Sequence, residues 1–291
     1  MRLVNLTALF ACALTAQANQ PPSVYLEHAL VTVDTETFQA ISDSAFLRDQ
    51  FSYTARNEVQ AANGQSWSGF YLHGEESYIE ILAQGAAAGL PLGWGGMGFV
   101  VDQDDELDRV HAAMQAVAPD HAYRNVRSLV AKGGISIPTF HATGLQFPEL
   151  RAQIGAGAWV MEYHDQYAAQ FGGKKDRHTL QESRFSAEKL FEDITGVQLN
   201  LTEPSLRAYQ LFFRALGYQY LAGAHPATFR GPEHVVLAFP ATGQRVGVRA
   251  VEFRLTRPPI KPSRIALGAT VLEVGPGPRG IWYFSTLQAA Y

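Results

Sequence analysis

Two stretches decide the fold: Tyr25-Leu-Glu-His-Ala-Leu-Val-Thr-Val-Asp34 and Gly93-Trp-Gly-Gly-Met-Gly-Phe-Val-Val-Asp102. Each has strand character and ends on an aspartate ahead of an amphipathic segment. In the first, Leu26, Val31 and Val33 alternate in part with polar residues, as on a half-buried strand. Asp34 and Thr35 suit a helix cap, and Phe38, Ile41, Phe46, Leu47 and Phe51 then recur near the helical period. Strand-like runs follow at Phe51 to Gln60, at Ser66 to Gly74 behind the turn signal Ala62-Asn-Gly64, and at Ser77 to Leu82. From Asp102 the order repeats, with Leu107, Val110, Met114 and Val117 on a helix and strands at 122–131, 135–145 and 157–166. The glycine-rich string Gly89 to Gly98 reads as a flexible link between the copies, because it lacks the helix-after context of a phosphate loop.

The repeat predicts an α+β fold of βαβββ units forming cupped, mostly antiparallel sheets, with a polar site between the halves. Residues 23–168 hold two units. Residues 169–194 read as a connector with a helix around Ser186 to Ile194, and 195–291 as a partly degenerate C-terminal half. That half opens on Val197-Gln-Leu-Asn-Leu-Thr-Glu203, with a helix over Ser205 to Tyr218 and strands at 226–230, 233–240, 246–256, 264–274 and 280–285. Its last unit is truncated, since Arg257-Pro-Pro-Ile-Lys-Pro262 cannot form a helix.

The chain has 291 residues, 47% of them apolar, and a net charge of -4, which gives no electrostatic case for nucleic acid. Lys174-Lys-Asp-Arg177, the longest basic cluster, reads as a solvated loop. Residues 3–14 are almost wholly apolar behind Arg2, and Ala16-Gln-Ala18 has the spacing of a cleavage site. Residues 1–18 therefore read as a secretory signal, with the mature chain starting near Asn19 in the periplasm or outside the cell. Lipid attachment at Cys12 is the less favoured alternative. Cys12 is the only cysteine, so the body after it has no disulfide and no thiolate ligand. No later run approaches the ~20 apolar residues of a membrane span.

Aligned on Asp34 and Asp102, each copy places a glutamate in its last strand, Glu80 and Glu162. A carboxylate among apolar strand neighbours is costly unless paired, protonated or bound to a cation; the plain alternative is an outward-facing residue. His28 is either a packing histidine or a ligand. His164, two residues from Glu162, shares its strand face and reads as a partner of that carboxylate or a solvated strand end. His141 is a candidate lining residue, and His73 reads as a turn residue. Trp67, Trp94, Trp159, Tyr71, Tyr78 and Tyr163 fit core pairs or pocket walls.

The repeat, together with Phe46-Leu-Arg-Asp, Ser66 to Gly74, Trp159-Val-Met-Glu-Tyr-His164 and Ile281-Trp-Tyr-Phe284, resembles the vicinal oxygen chelate superfamily, within it a bacterial family of glyoxalase-like proteins. The resemblance implies a divalent metal (Zn, Fe, Ni or Mn) held by His28, Glu80 and Glu162; on the enzyme hypothesis Glu162 also moves a proton, and His141 and His164 are the candidate substrate-binding residues. Glycine stands at the remaining ligand position, Gly96, with His164 the candidate to replace it. Three functions stay open, the first two being a secreted metal-dependent enzyme acting on a small substrate with vicinal oxygens and a metal-free small-molecule-binding protein. A third is an extracytoplasmic interaction module. The expected partner is a small molecule, with no nucleic acid and no membrane span.

Overall fold

The computed structural model describes residues 22–62, 64–86, 90–130, 135–150, 153–223, 225–241 and 245–284. The expected signal segment, Cys12 and the Asn19 start lie outside them. The chain is mixed α+β. Strands β1 (Tyr25–Val33), β2 (Tyr53–Gln60), β3 (Ser66–His73), β4 (Tyr78–Ala83), β5 (Gly95–Val100), β6 (Ala122–Val130), β7 (Ser136–Leu145) and β8 (Ala156–Tyr163) form one sheet in the order β2-β3-β4-β1-β5-β8-β7-β6. A second sheet is built from β9 (Phe191–Leu201), β10 (Gln219–Leu221), β11 (Ala227–Arg230), β12 (Val235–Pro240), β13 (Gly247–Leu255), β14 (Ser263–Leu267), β15 (Thr270–Val274) and β16 (Arg279–Tyr283), in the order β10-β11-β12-β9-β13-β16-β15-β14.

Helix α1 (Thr35–Ser42) follows β1, α2 (Glu106–Val117) follows β5, α3 (Arg177–Glu182) joins the halves, and α4 (Glu203–Ala215) follows β9. Asp34 caps α1 through Thr37 N at 2.8 Å, and Thr202 caps α4. Where a helix intervenes, the first and last strands of a unit pair in parallel: β1 with β4, β5 with β8, β9 with β12. A parallel pair needs such a crossover. The last unit has only the proline-rich link of 257–262, and β13 pairs with β16 antiparallel.

The expected strand over 264–274 is a tight hairpin that turns at Gly268 and Ala269, and β10 is too short to show alternation in the sequence. The expected helix at 186–194 is absent; β9 begins at Phe191. Its register against β13 slips around Glu192 and Thr195, leaving both without a Cα partner, so the core residues Phe191, Ile194 and Val197 fall three apart. Such bulges imitate helical spacing.

One core joins the sheets. Val31, Ile81, Met97 and Phe99 of the first meet Val197, Leu199, Phe253 and Trp282 of the second, with Phe38 of α1, Leu107 of α2 and Phe213 of α4. Phe51 stacks on Phe191 at 5.5 Å and meets Phe253 edge-on at 5.2 Å. The other face of the first sheet is thereby left to the candidate site.

Candidate functional site

The edge strands of the first sheet meet at one rim: Ala61 bridges Leu129, and Ala62 N donates to Ser128 O at 3.0 Å. A cavity of 880 Å³ lies inside, lined by every strand of that sheet except β5. Gly96 and Gly98 explain the exception. A Cβ on Gly98 would lie 2.0 Å from His28 Cε1, and one on Gly96 would lie 2.7 Å from Trp159 Cζ3. The string expected to be a flexible link is thus partly strand, and its bare inner face makes room for two rings.

His28 and Glu80 both face this cavity. His28 is 4% exposed, stacks on Tyr78 at 4.7 Å and lies 5.4 Å from Trp159. Its Nδ1 donates to Glu27 Oε2 at 3.2 Å, and Tyr163 OH donates to Glu27 Oε1 at 2.5 Å. Strict alternation would point Glu27 away from His28. The register instead slips between Leu26 and His28, so Leu26 joins the core while Glu27 reaches the polar cluster. Glu80 Oε1 accepts from Tyr71 OH at 2.9 Å and Trp67 Nε1 at 3.3 Å. Burial pushes the Glu80 carboxyl up, opposed by His28 and these two donors. Burial likewise raises Tyr71, Tyr78 and Tyr163, so their hydroxyls stay protonated donors.

Glu162 does not belong to this group. Met161 and Tyr163 point into the cavity, and Glu162 between them lies on the opposite face, 3.7 Å from Lys175 Nζ. Burial pushes its carboxyl up, while Lys175 opposes. His141, its cross-strand neighbour, stacks on His164 at 5.5 Å on that same outer side. His164 Nδ1 accepts from Gln166 N at 3.3 Å, capping the turn that ends β8. The expected set of His28, Glu80 and Glu162 is therefore split between two faces, and neither His141 nor His164 lines the cavity. On the cavity face the predicted ligands reduce to His28 and Glu80, with Nδ1 of one and Oε1 of the other already engaged. No group of three or more His, Cys, Asp or Glu placed to hold a metal occurs among the described residues. This donor set does not fit the expected metal site.

His73, expected at a turn, is 3% exposed and lines the cavity. Its Nδ1 donates to Gln181 Oε1 at 2.8 Å, and its Nε2 is buried with no partner. Burial pushes it down to about 4. The legible signal was the period-two series Trp67, Tyr71, His73 on β3.

The connector closes the end of the cavity: Leu180, Gln181 and Arg184 line it, with Tyr167 just ahead of the connector. Arg177, expected in a solvated loop, is 7% exposed. It pairs with Glu76 at 3.1 Å, Asp102 at 3.3 Å and Glu233 at 2.8 Å, and lies 3.8 Å above the Tyr25 ring. Asp102 is thus a partner of Arg177 rather than a second helix cap. Among the described residues no helix is long and apolar enough to cross a membrane.

A family model described as a family of unknown function, DUF5829, matches residues 26–284. The chain belongs to this family. The DUF5829 match takes in both sheets and the connector between them. Among solved structures, the chain is similar to a xylose isomerase-like TIM barrel/4-hydroxyphenylpyruvate dioxygenase fusion protein, with a TM-score of 0.40 and 12% identity. That similarity covers 79% of this chain but 36% of the other. No curated protein matches.

Proposed function

We propose that the protein binds a small organic molecule inside the first sheet, without a metal. The observation that carries this reading is the 880 Å³ cavity with Glu80 and His28 buried in its wall. Ligand pockets commonly span ~300–1,000 Å³, with apolar walls and a few convergent polar groups. Buried carboxylates that face open volume are costly to keep for stability alone. Aromatic walls from Trp67, Tyr78 and Trp159 suit a flat or apolar body. The βαβββ strand order supports kinship with vicinal oxygen chelate proteins, and the segment over residues 1–18 supports export, which the N-terminal mass of the exported protein tests.

Ala142 lines the cavity and is 4% exposed, so Ala142→Phe places a ring inside it. A small-compound collection would be screened by ligand-detected NMR against both forms. The expected result is a set of compounds that bind the unmodified protein and not the folded variant. Identical binding by the two forms would defeat the proposal.

A further inference from the structure

We infer that the ligand of this cavity is an organic cation with N–H donors, such as a primary ammonium or amidinium on an aromatic body, whose charged end sits at Glu80 and whose donor reaches His73. The inference rests on the binding reading above and adds the ligand's class.

Two acceptors lie close together on the polar face, Glu80 and His73. Tyr71 OH and Trp67 Nε1 both donate to Glu80 Oε1, and Tyr163 OH donates to Glu27. Those donors are engaged inside the protein. Among the described residues no donor reaches Glu80 Oε2. His73 supplies the second acceptor. Gln181 Oε1 can only accept, so the His73 proton is on Nδ1, and the orphaned Nε2 presents a lone pair. Its depressed basicity keeps that lone pair free at neutral pH.

The two acceptors also suit one ligand group. His73 pairs with Tyr78 and Tyr71 pairs with Glu80 across β3 and β4, so His73 and Glu80 are diagonal neighbours on one face. Diagonal residues of an antiparallel pair lie roughly 7–8 Å apart, which a group with two donors can bridge. A neutral donor would satisfy His73 alone. A cation also answers the buried Glu80 carboxylate, and the adjacent faces of Tyr78 and Trp159 favour positive charge.

Two cations line the same cavity, Arg127 and Arg184, both half-buried. Arg184 is close enough to His73 to oppose its protonation. The ligand's charge therefore belongs at Glu80, with only an N–H reaching His73. The arginines make the rival outcome concrete, since they would draw an anion.

The test uses the full chain and three probes of one shape: benzylammonium, benzyl alcohol and benzoate, titrated by calorimetry and located by NMR. Benzylammonium is expected to bind at least about tenfold more tightly than either other probe, as a charge-assisted contact implies. Glu80→Gln should remove that preference, and His73→Phe should weaken benzylammonium severalfold. Equal or tighter binding of benzoate or benzyl alcohol to the unmodified protein overturns the cation inference and leaves the cavity reading standing. Binding of none of the three in the cavity overturns both. A preference for benzylammonium that survives in folded Glu80→Gln overturns the assignment to Glu80.

Discussion

The two sheets share a strand order and differ where it matters for chemistry. His28 and Gly196 each lie six residues before a helix cap, Asp34 and Thr202, and each sits between the matching strands of its sheet. In the first sheet β1 supplies the His28 ring and β5 the partner glycine, Gly98. The second sheet reverses this: β9 supplies Gly196 and β13 the side chain, Glu252. Glu252 Oε1 there accepts from Gln198 Nε2 at 2.6 Å on a half-buried face. The position matching Glu80 is Leu237, paired with Gln198 as Glu80 is with Leu30. The rims differ as well. Ala61 and Leu129 bridge the first sheet, whereas no bridge joins β10 to β14 among the described residues. One architecture thus yields a closed polar cavity and an open face, depending on which strand carries the bulk, whether the edges meet, and whether a cap is docked.

Removing the cap should have the largest effect. Arg177→Ala leaves Glu76, Asp102 and Glu233 without their shared cation and frees α3 from the cavity end. Breaking a fully buried pair costs ~3–5 kcal/mol; here the carboxylate side chains are 24–50% exposed, which argues for about 3 kcal/mol. Chemical denaturation and exchange of the Gln181 amide measure it, and unchanged stability would show that the cap is not held by this cluster.

The reversed glycines give the sharpest contrast. Gly98→Ala forces the His28 ring aside and should cost about 1–3 kcal/mol, with loss of ligand binding. At Gly196 an added Cβ comes no closer than 3.0 Å, to Val235 O, and the Glu252 side chain stands 3.5 Å away, so Gly196→Ala should cost less. Equal losses from the two substitutions would erase the proposed difference between the sheets.

Acid should act on the first cavity through His73. Burial pushes it down to about 4, below its ordinary value near 6.5. The unfolded chain then takes the proton more readily, so this contribution is complete above about pH 6.5 and is lost as pH falls through 4. Glu80 and Asp193 act in the opposite sense, because burial raises both, Asp193 to about 6, and protonation relieves them. The variant His73→Gln isolates the histidine. The stability difference between unmodified protein and variant should shrink by about 1–2 kcal/mol from pH 7 to 5 in urea denaturation. A difference that stays flat over this range contradicts a neutral, buried His73.

The smallest expected effect is that of a chelator. With only His28 and Glu80 of the predicted ligands in the cavity, EDTA should leave the melting temperature unchanged. A fall of several degrees would restore the metal reading.

Much of this was legible in the residues. The strand character of β1, the cap Asp34, and the proline-rich link that forbids a last helix follow from local preference and account for where a parallel pair forms. Glu80 was legible too, as a carboxylate in an apolar strand. The outward turn of Glu162, the inward turn of Glu27 and the strand at Phe191 were not. Period-two reading assumes unbroken register, and a one-residue slip exchanges the two faces of a strand. For Glu162 the two faces were equally open to the sequence, since both were flanked by apolar residues, and only sheet closure decided which face enclosed the cavity. The sequence by itself determined the order of strands and helices in the first two units and the residue types available to a site. Tertiary structure decided which face each occupies, that Arg177 is buried, and that His73 faces a cavity, because those outcomes depend on register slips and on contacts between residues far apart in the chain.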